Sequence, residues 1–176
     1  MRARDESDLA ACVAVLRAVH LADGYPVDWP ADPADWLRPD GDGRAWVAER
    51  AGRIVGHVSL VRPAPDDVAP GLLRRRGPAP AERAVSVVSR LFVDPAARGL
   101  RVGALLLARA ARTAHADGAR AVLDVVTTDT AAIALYERLG WEFLGTGQQR
   151  WGPDLLVTVR CYAAPAASRS SLRETP

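Results

Sequence analysis

An arginine- and glycine-rich turn stands where a predicted strand leads into a predicted helix, in the stretch RLFVDPAARGLRVGALLLARAAR (residues 90–112). Arg98 and Arg101 alternate there with Gly99 and Gly103. A helix N-terminus carries unpaired N–H groups and the positive end of the helix dipole, and glycine lets a ligand approach the backbone closely. The pattern therefore predicts a turn that binds an anion.

Neither of the two common nucleotide-binding motifs fits this turn. A dinucleotide-binding fingerprint needs G-x-G-x-x-G followed by an acidic residue about 20 residues later, and the spacing of Gly99 and Gly103 does not match it. A P-loop ends in Gly-Lys-Ser/Thr, whereas all 23 basic residues of this chain are arginine. The anion must therefore be held in another way.

A carboxylate in the next predicted strand is the second group that the pattern singles out. Asp124 interrupts the apolar run AVLDVV (residues 121–126). A charge in a buried strand is unfavourable unless it is paired or used. Two interpretations stay open: Asp124 takes part in chemistry, or it points to solvent or pairs with an arginine.

Apolar periodicity and turn residues predict the elements that position the turn and Asp124. In chain order these are a helix capped by Ser7 or Asp5, a hairpin of RAWVAER and RIVGHVSLV, the strand AVSVVSRLFV, a helix from about Gly99 to Ala116, the strand AVLDVV, a helix from about Asp129 to Leu139, and strands near WEFLGTG and DLLVTVRCY. The first of the two later helices is expected to bury Val102, Leu105, Leu106 and Ala110. Residues 23–43 are predicted as a loop with a helical turn at ADWL, and the proline-rich residues 63–83 as an exposed loop.

Length, charge and cysteine content limit the class of protein. A chain of 176 residues predicts one domain, which we place at 1–162, with a disordered tail at 163–176. A net charge of +2 does not favour nucleic acid or a membrane as a partner. Cys12 and Cys161 have no metal-ligand spacing, and no signal segment or membrane-length apolar run is present, so we predict a cytoplasmic protein without a metal.

Two stretches in the correct order resemble the GNAT superfamily of acyl-CoA-dependent N-acetyltransferases. In RLFVDPAARGLRVGALLL, the residues Arg98, Gly103 and Ala104 match the signature Arg/Gln-x-x-Gly-x-Gly/Ala, and Arg101 stands where its first glycine is expected. In TDTAAIALYERLGWEFLG, the matching residues are Ala132, Tyr136, Gly140 and Trp141, with Asp129 in place of the usual asparagine. The order of the predicted elements agrees over residues 2–162.

The resemblance implies an α/β (α+β) fold. Its sheet would be mixed but mostly antiparallel, with six to seven strands, splayed at the centre and covered by helices on both faces. It also implies an N-acetyltransferase that moves an acetyl group from the co-substrate acetyl-CoA to a primary amine, of a small molecule or a protein, by direct attack in a ternary complex. A homodimer stays open. The cofactor-binding residues implied in this way are Leu91, Phe92, Val93, Arg98, Gly99, Leu100, Arg101, Val102, Gly103, Ala104, Asp129, Ala132 and Tyr136.

The resemblance assigns the proton transfers to two residues. Tyr136 would donate a proton to the CoA sulfur, unless it merely packs in the core. Asp124 stands where some members carry a glutamate base, and the shorter aspartate would act through a water. Glu82 or water itself are the other candidate bases. Backbone N–H groups of Leu91–Val93, freed by a bulge, would polarise the thioester carbonyl.

An acidic loop is the predicted wall of the acceptor site. Residues 23–42 hold six aspartates and one arginine, together with three aromatic side chains, which suits a cationic amine. We expect Tyr25, Asp28, Trp29 and His57 to line the acceptor pocket; an ordinary solvated loop and a structural histidine are the alternatives.

Two other functions compete with the enzyme. A non-catalytic acyl-CoA sensor or regulatory module would keep the turn but need neither Tyr136 nor a base. A nucleic-acid binder using Arg74–Arg76 would need aromatic platforms on a basic face, and the aromatics lie in the acidic loop instead.

Overall fold

Seven strands form one mixed sheet in the computed structural model, which describes residues 1–77, 84–151 and 155–165. The strands are β1 (Arg2–Ala3), β2 (Arg44–Arg50), β3 (Arg53–Val61), β4 (Ala84–Val93), β5 (Ala119–Val126), β6 (Glu142–Arg150) and β7 (Leu156–Ala163). The helices are α1 (Leu9–Asp23), α2 (Pro33–Leu37), α3 (Val68–Arg75), α4 (Val102–Ala116) and α5 (Thr130–Arg138). Across the sheet the order is β1-β2-β3-β4-β5-β7-β6, which confirms the expected mixed α/β sheet.

The sheet opens at its centre, between the two parallel strands β4 and β5. They pair only from Ala84–Val87 to Ala119–Val122, although β4 continues to Val93 and β5 to Val126. The other strand pairs are antiparallel. The gap between residues 88–93 of β4 and 123–126 of β5 is the predicted splay, and is called the cleft below.

A β-bulge sets the course of β4 along the cleft. His57 of β3 pairs with Phe92, but Ser59 pairs with Ser89, so β4 has one more residue than β3 over this interval. Arg90 takes up the extra length with φ of +50°, in the left-handed region that a non-glycine residue rarely adopts. Such a bulge bends and twists its strand, which turns β4 away from β5.

Helices cover both faces, as predicted. α4 and α5 pack in one apolar cluster with Leu123 and Val125 of β5. On the opposite face α1 and α2 enclose Phe92, and α3 covers Val122. Because successive strand residues point to opposite faces, Asp124 lies on the α1–α3 face together with Val122.

The predicted exposed loop at 63–83 is wrong for residues 68–75, which form α3. Ala69 and Pro70 are buried there, and Val68, Leu72 and Leu73 pack against β5, β6 and β7. Pro70 is tolerated because it lies in the first turn, where its missing N–H has no helical partner. Residues 78–83 lie outside the described residues.

The predicted start of the next helix is also wrong by three residues, since α4 begins at Val102 rather than at Gly99. Gly99 and Arg101 both adopt positive φ, of 76° and 62°, and so cannot belong to the helix. Leu107 is buried in place of Leu105, whose relative exposure is 56%. The ends of the hairpin, α2, α5 and the two closing strands agree with the predictions to within a few residues.

Candidate active site

The turn before α4 leaves a helix N-terminus open. The Asp94 carboxylate accepts a hydrogen bond of 2.9 Å from the N–H of Ala96 and so holds one 3-10 turn at Pro95–Ala97. Residues 98–101 then run exposed to the first turn of α4, whose N-cap Arg101 offers no side-chain acceptor. The first N–H groups of a helix have no intrahelical partner, so this end of the 15-residue α4 can hold an anion.

Arg101 keeps the turn in the shape that a glycine would adopt. Its φ of 62° and ψ of 12° are left-handed, which costs about 1–2 kcal/mol for a residue with a Cβ. The next signature position is sterically restricted, because a Cβ on Gly103 would lie 3.3 Å from Leu135 Cδ2 and 3.7 Å from Val93 Cγ2. The arginine substitution therefore preserves the turn and adds a cation beside it.

Arg98 is already paired in this structure. Its guanidinium donates hydrogen bonds to both carboxylate oxygens of Asp23, the last residue of α1. The distance from Nη1 to Oδ1 is 3.1 Å. Both side chains are exposed. A phosphate at the turn would therefore compete with Asp23 for this guanidinium.

Two backbone N–H groups of β4 face the cleft. The N–H of Asp94 donates to the carbonyl of Val55 in β3 at 2.9 Å. Because successive N–H groups of a strand point to opposite edges, those of Val93 and Leu91 point away from β3, into the cleft. Phe92 pairs with His57 in β3, so its N–H points away from the cleft.

Tyr136 approaches the cleft from α5. Asp129 caps that helix, accepting a 2.9 Å hydrogen bond from the N–H of Ala132. The Tyr136 ring is buried between Trp141 and Tyr162, at centroid distances of 6.1 and 5.7 Å. It belongs to the cluster that contains Leu123 and Val125 of one cleft edge.

The phenol of Tyr136 is a proton donor with no acceptor of its own. Among the described residues the phenol makes no hydrogen bond. Ser59 Oγ is the one side-chain polar atom there that is both fully enclosed and without a partner. The phenol oxygen is therefore not fully enclosed, although Tyr136 as a whole is buried. Burial, and then the nearby Tyr25, Asp129 and Asp124, raise the pKa of Tyr136, so it stays protonated at neutral pH.

Asp124 carries a carboxyl with altered acidity. Burial, followed by the charge of Asp67 at the start of α3, raises the pKa of Asp124 from 3.8 to about 6. It is paired in register with Cys161 of β7, and in the residues that the structure describes no arginine forms an ion pair with it. A carboxylate with a pKa near 6 is mostly ionised at pH 7 and able to accept a proton.

Of the predicted acceptor residues, Tyr25 alone lies among these groups. Burial raises the pKa of Tyr25; the Arg90 charge lowers it again, and those of Asp124 and Asp129 raise it further. Trp29 instead packs on α1, with its ring 5.0 Å from that of His20, and Asp28 is exposed.

His57 does not reach the site. Its relative exposure is 0%, Nδ1 donates to the Arg90 carbonyl at 2.9 Å, and Nε2 lies 3.3 Å from Nη1 of Arg4. Burial lowers the pKa of His57 from 6.5 to about 4, so it is neutral and supports the bulge from beneath. These contacts fit the alternative interpretation, in which His57 has a structural role.

Arg90 and Trp36 were not predicted as site residues. The Arg90 guanidinium lies 5.0 Å from the ring centroid of Trp36, and the Trp36 ring is 6.3 Å from that of Tyr25. Arg90 interrupts an apolar strand just as Asp124 does, and this signal was present in the sequence.

The remaining candidate residues are hydrogen-bonded elsewhere or lie outside the described residues. Arg74 and Arg76 bind the Pro70 carbonyl and Glu142, tying α3 to itself and to β6. Glu82 lies outside the described residues, so its role as a base stays a prediction. Within the described ranges no group of side chains could hold a metal ion, and no helix is long and apolar enough to cross a membrane.

The splayed sheet with an open helix N-terminus beside it suits an acyl-CoA-dependent acyltransferase, and comparison with known proteins identifies that class. The model of the acetyltransferase (GNAT) family matches residues 15–141, so the chain belongs to the GNAT family of acetyltransferases. Transfer of an acetyl group from acetyl-CoA is the general reaction of that family. A search of curated proteins found no match.

Solved structures share the fold at low sequence identity. One is an N-acetyltransferase from Staphylococcus aureus Mu50, at 20% identity and a TM-score of 0.65 over 92% of this chain and 94% of that one. A ribosomal-protein-alanine N-acetyltransferase from Brucella melitensis has 24% identity and a TM-score of 0.65, over 92% and 96%. The structure of yncA from Salmonella typhimurium with its cofactor acetyl-CoA has 20% identity and a TM-score of 0.65, over 94% and 96%.

Proposed function

We propose that the protein transfers the acetyl group of acetyl-CoA to a primary amine by direct attack in a ternary complex, with Asp124 as base and Tyr136 as acid. The observation that carries the proposal is that an ionisable carboxylate and a protonated phenol approach one cleft from opposite faces of the sheet. The charge of Asp124 is also among those that raise the pKa of Tyr136, after burial, Tyr25 and Asp129. Such a pair suits a reaction that removes one proton and supplies another.

The turn before α4 is the proposed binding site of the CoA pyrophosphate. The open N–H groups between Gly99 and Ala104 and the positive end of α4 would hold the phosphate oxygens. Arg98 and Arg101 add charge at the rim, Arg98 after leaving Asp23. Ala132 and Asp129, at the start of α5, would border the other side of the cofactor.

The N–H groups of Leu91 and Val93 are the proposed donors to the thioester oxygen. They point into the cleft because β4 and β5 no longer pair there. A fixed donor at an oxygen that gains negative charge lowers the barrier to attack. Phe92, whose N–H points towards β3, would act in this only by fixing the strand.

Acetyl transfer to an ammonium group requires the nitrogen to lose two protons and the sulfur to gain one. Asp124, directly or through a water, takes a proton from the ammonium form of the acceptor, and the free amine nitrogen forms a bond to the carbonyl carbon. Tyr136 gives its proton to the sulfur as the C–S bond breaks. The nitrogen loses its second proton to solvent, and solvent returns a proton to the phenolate. The products are the N-acetyl amine and free CoA.

Direct attack is favoured over an acyl-enzyme because no accessible thiol is present. The chain contains two cysteines, Cys12 and Cys161, and both are fully buried. Neither can reach a thioester in the cleft without unfolding part of the core. A ternary complex therefore needs no covalent step on the protein.

The test is CoA-thiol release measured with a panel of primary amines, varying acetyl-CoA and amine together. Intersecting double-reciprocal lines are expected, whereas parallel lines would show an acyl-enzyme. Tyr136→Phe and Asp124→Asn should each lower the rate by about 10²–10⁴-fold. Binding of acetyl-CoA without release of thiol for any amine would instead favour the sensor.

A further inference from the structure

Arg90 is a cation inside the central strand β4, and none of the ion pairs among the described residues includes it. Its side chain is half-buried, and its guanidinium carbon lies 5.0 Å from the centroid of the Trp36 ring on α2. In the part of the chain that the structure describes, Arg90 forms no ion pair, and no hydrogen bond from its guanidinium is seen. Arg38 and Arg98, on the same side of the molecule, both grip carboxylates.

The guanidinium of Arg90 is not fully enclosed by the protein. Ser59 Oγ is the one fully enclosed side-chain polar atom without a partner among the described residues, so the unpartnered nitrogens of Arg90 reach accessible space. Burial lowers the pKa of Arg90, but an arginine remains charged in proteins. A half-buried charge without an anion is unfavourable, and a bound anion would remove that cost.

Arg90 lies beside the cleft. Arg90 directly precedes Leu91, whose N–H points into the cleft, and its contact with Trp36 places its side chain on the α1–α3 face, where Asp124 also lies. The charges of both residues act on the Tyr25 phenol, since Arg90 lowers its pKa and Asp124 raises it. The other charged groups that act on Arg90 are Asp40 and Arg4.

From this geometry we propose that Arg90 binds a carboxylate of the acceptor, so that the acceptor is a small amine that also carries an acid, such as an amino acid. The amine would lie towards Asp124 and the carboxylate towards Arg90, matching the two opposite charges of the α1–α3 face. The planar guanidinium can donate two parallel hydrogen bonds to a carboxylate, and stacking on Trp36 fixes its plane. This proposal rests on the proposed amine acetylation.

The first test compares acceptors that differ only in the acid. For several side chains, the amino acid, its carboxamide and the corresponding amine without a carboxyl group are assayed, with rates expressed per free amine. We expect kcat/KM to be about 10- to 100-fold higher for the amino acid, the scale of one charge-assisted hydrogen-bond pair. Equal values for the three acceptors would overturn the proposal.

The second test changes the arginine. Arg90→Asn removes the cation but suits the positive φ, and Arg90→Lys keeps the charge without the planar fork. Arg90→Asn should raise KM for the amino acid about 10- to 100-fold and abolish the preference over the carboxamide, with KM for acetyl-CoA unchanged. Arg90→Lys should retain part of the preference. Arg53→Gln, at the exposed hairpin end of β3, is the matched control and should behave as the parent.

The outcomes separate this proposal from the proposed function. If carboxamides and simple amines are acetylated as well as amino acids, or if Arg90→Asn slows every acceptor equally, the carboxylate site is wrong although the enzyme is an N-acetyltransferase. If no amine is acetylated, the proposed function fails, and amino-acid binding is then measured by calorimetry in the presence of CoA. Binding that Arg90→Asn weakens would still support the carboxylate site, and absence of binding would refute it.

Discussion

Replacing Asp124 by asparagine should make the protein more stable at pH 8 while it lowers the rate of acetylation. Burial raises the pKa of Asp124 from 3.8 to about 6, so the native state resists ionisation of this carboxyl. At about 1.36 kcal/mol per pKa unit, that shift corresponds to about 3 kcal/mol of destabilisation once the group is ionised. The carboxyl reaches accessible space, so we expect a gain of about 1–3 kcal/mol, or roughly 2–12 °C in Tm for a chain of this size.

The gain should depend on pH in a defined direction. Because the native pKa is raised, the parent protein gains stability from Asp124 as the pH falls from about 6 towards 3.8. Asparagine resembles the protonated carboxyl, so the difference between variant and parent should be largest at pH 8 and vanish near pH 4.

His57 contributes with the opposite sign. Its pKa is lowered from 6.5 to about 4, so the stability that it provides is present above pH 6.5 and is lost as the pH falls towards 4. In the parent the two groups partly offset each other over this interval. In Asp124→Asn the loss from His57 is uncompensated, and the variant should therefore destabilise more steeply than the parent on acidification.

Urea unfolding between pH 4.5 and 8, with CoA-thiol release measured on the same samples, checks both effects. Asp28→Asn, the same substitution at an exposed position, is the control for stability. A difference between Asp124→Asn and parent that is the same at every pH would refute the buried, protonation-sensitive carboxyl. Higher stability with full activity would show that Asp124 is not the base.

Substitutions in the turn before α4 and in α5 test the CoA site and the acid. Arg98→Ala should weaken CoA binding by about 1–3 kcal/mol in calorimetric titration, whereas Asp23→Asn should strengthen it by freeing Arg98; equal affinity for all three proteins would show that backbone groups alone hold the phosphates. Arg101→Gly should raise the free energy of unfolding by about 1 kcal/mol and Arg101→Ala should not, because only glycine relieves the left-handed backbone; equal urea midpoints would contradict this. Tyr136→Phe should lower the rate at every pH without rescue by alkali, and a fully active variant would reduce the tyrosine to packing.

The elements that were predicted correctly are those with local signals. The hairpin has Ala51 and Gly52 at its tip, both with positive φ, and α5 has Asp129 as its cap and Gly140 after its end. α3 was missed because its prolines and arginines resemble a loop, and only packing of Val68 and Leu72 on β6 and β7 makes it a helix. Tertiary burial outweighs local propensity there.

Motifs in the sequence mark the turn before α4 and Tyr136, whereas a contact between distant residues leaves no local signal. The pairing of Arg98 with Asp23 joins residues 75 positions apart, and no local pattern indicates it. His57 was placed at the pocket because a lone histidine after a hairpin glycine has no distinguishing signal. The hydrogen bonds of its ring with the Arg90 carbonyl and Arg4 arise only when β3, β4 and the residue after β1 come together.

Arg90 and Asp124 share one feature that is visible in the sequence. Each is a charge that interrupts an apolar central strand, and each lies beside the cleft on the α1–α3 face, where burial shifts its pKa against ionisation. A structural ion pair would bring the two charges together, yet no hydrogen bond or ion pair joins them in the described part of the chain. Two unpaired opposite charges beside one cleft destabilise the native state when no ligand is bound. They suit a ligand that carries one charge of each sign. The energetic cost of burying them therefore indicates a role in binding the acceptor rather than in stabilising the fold.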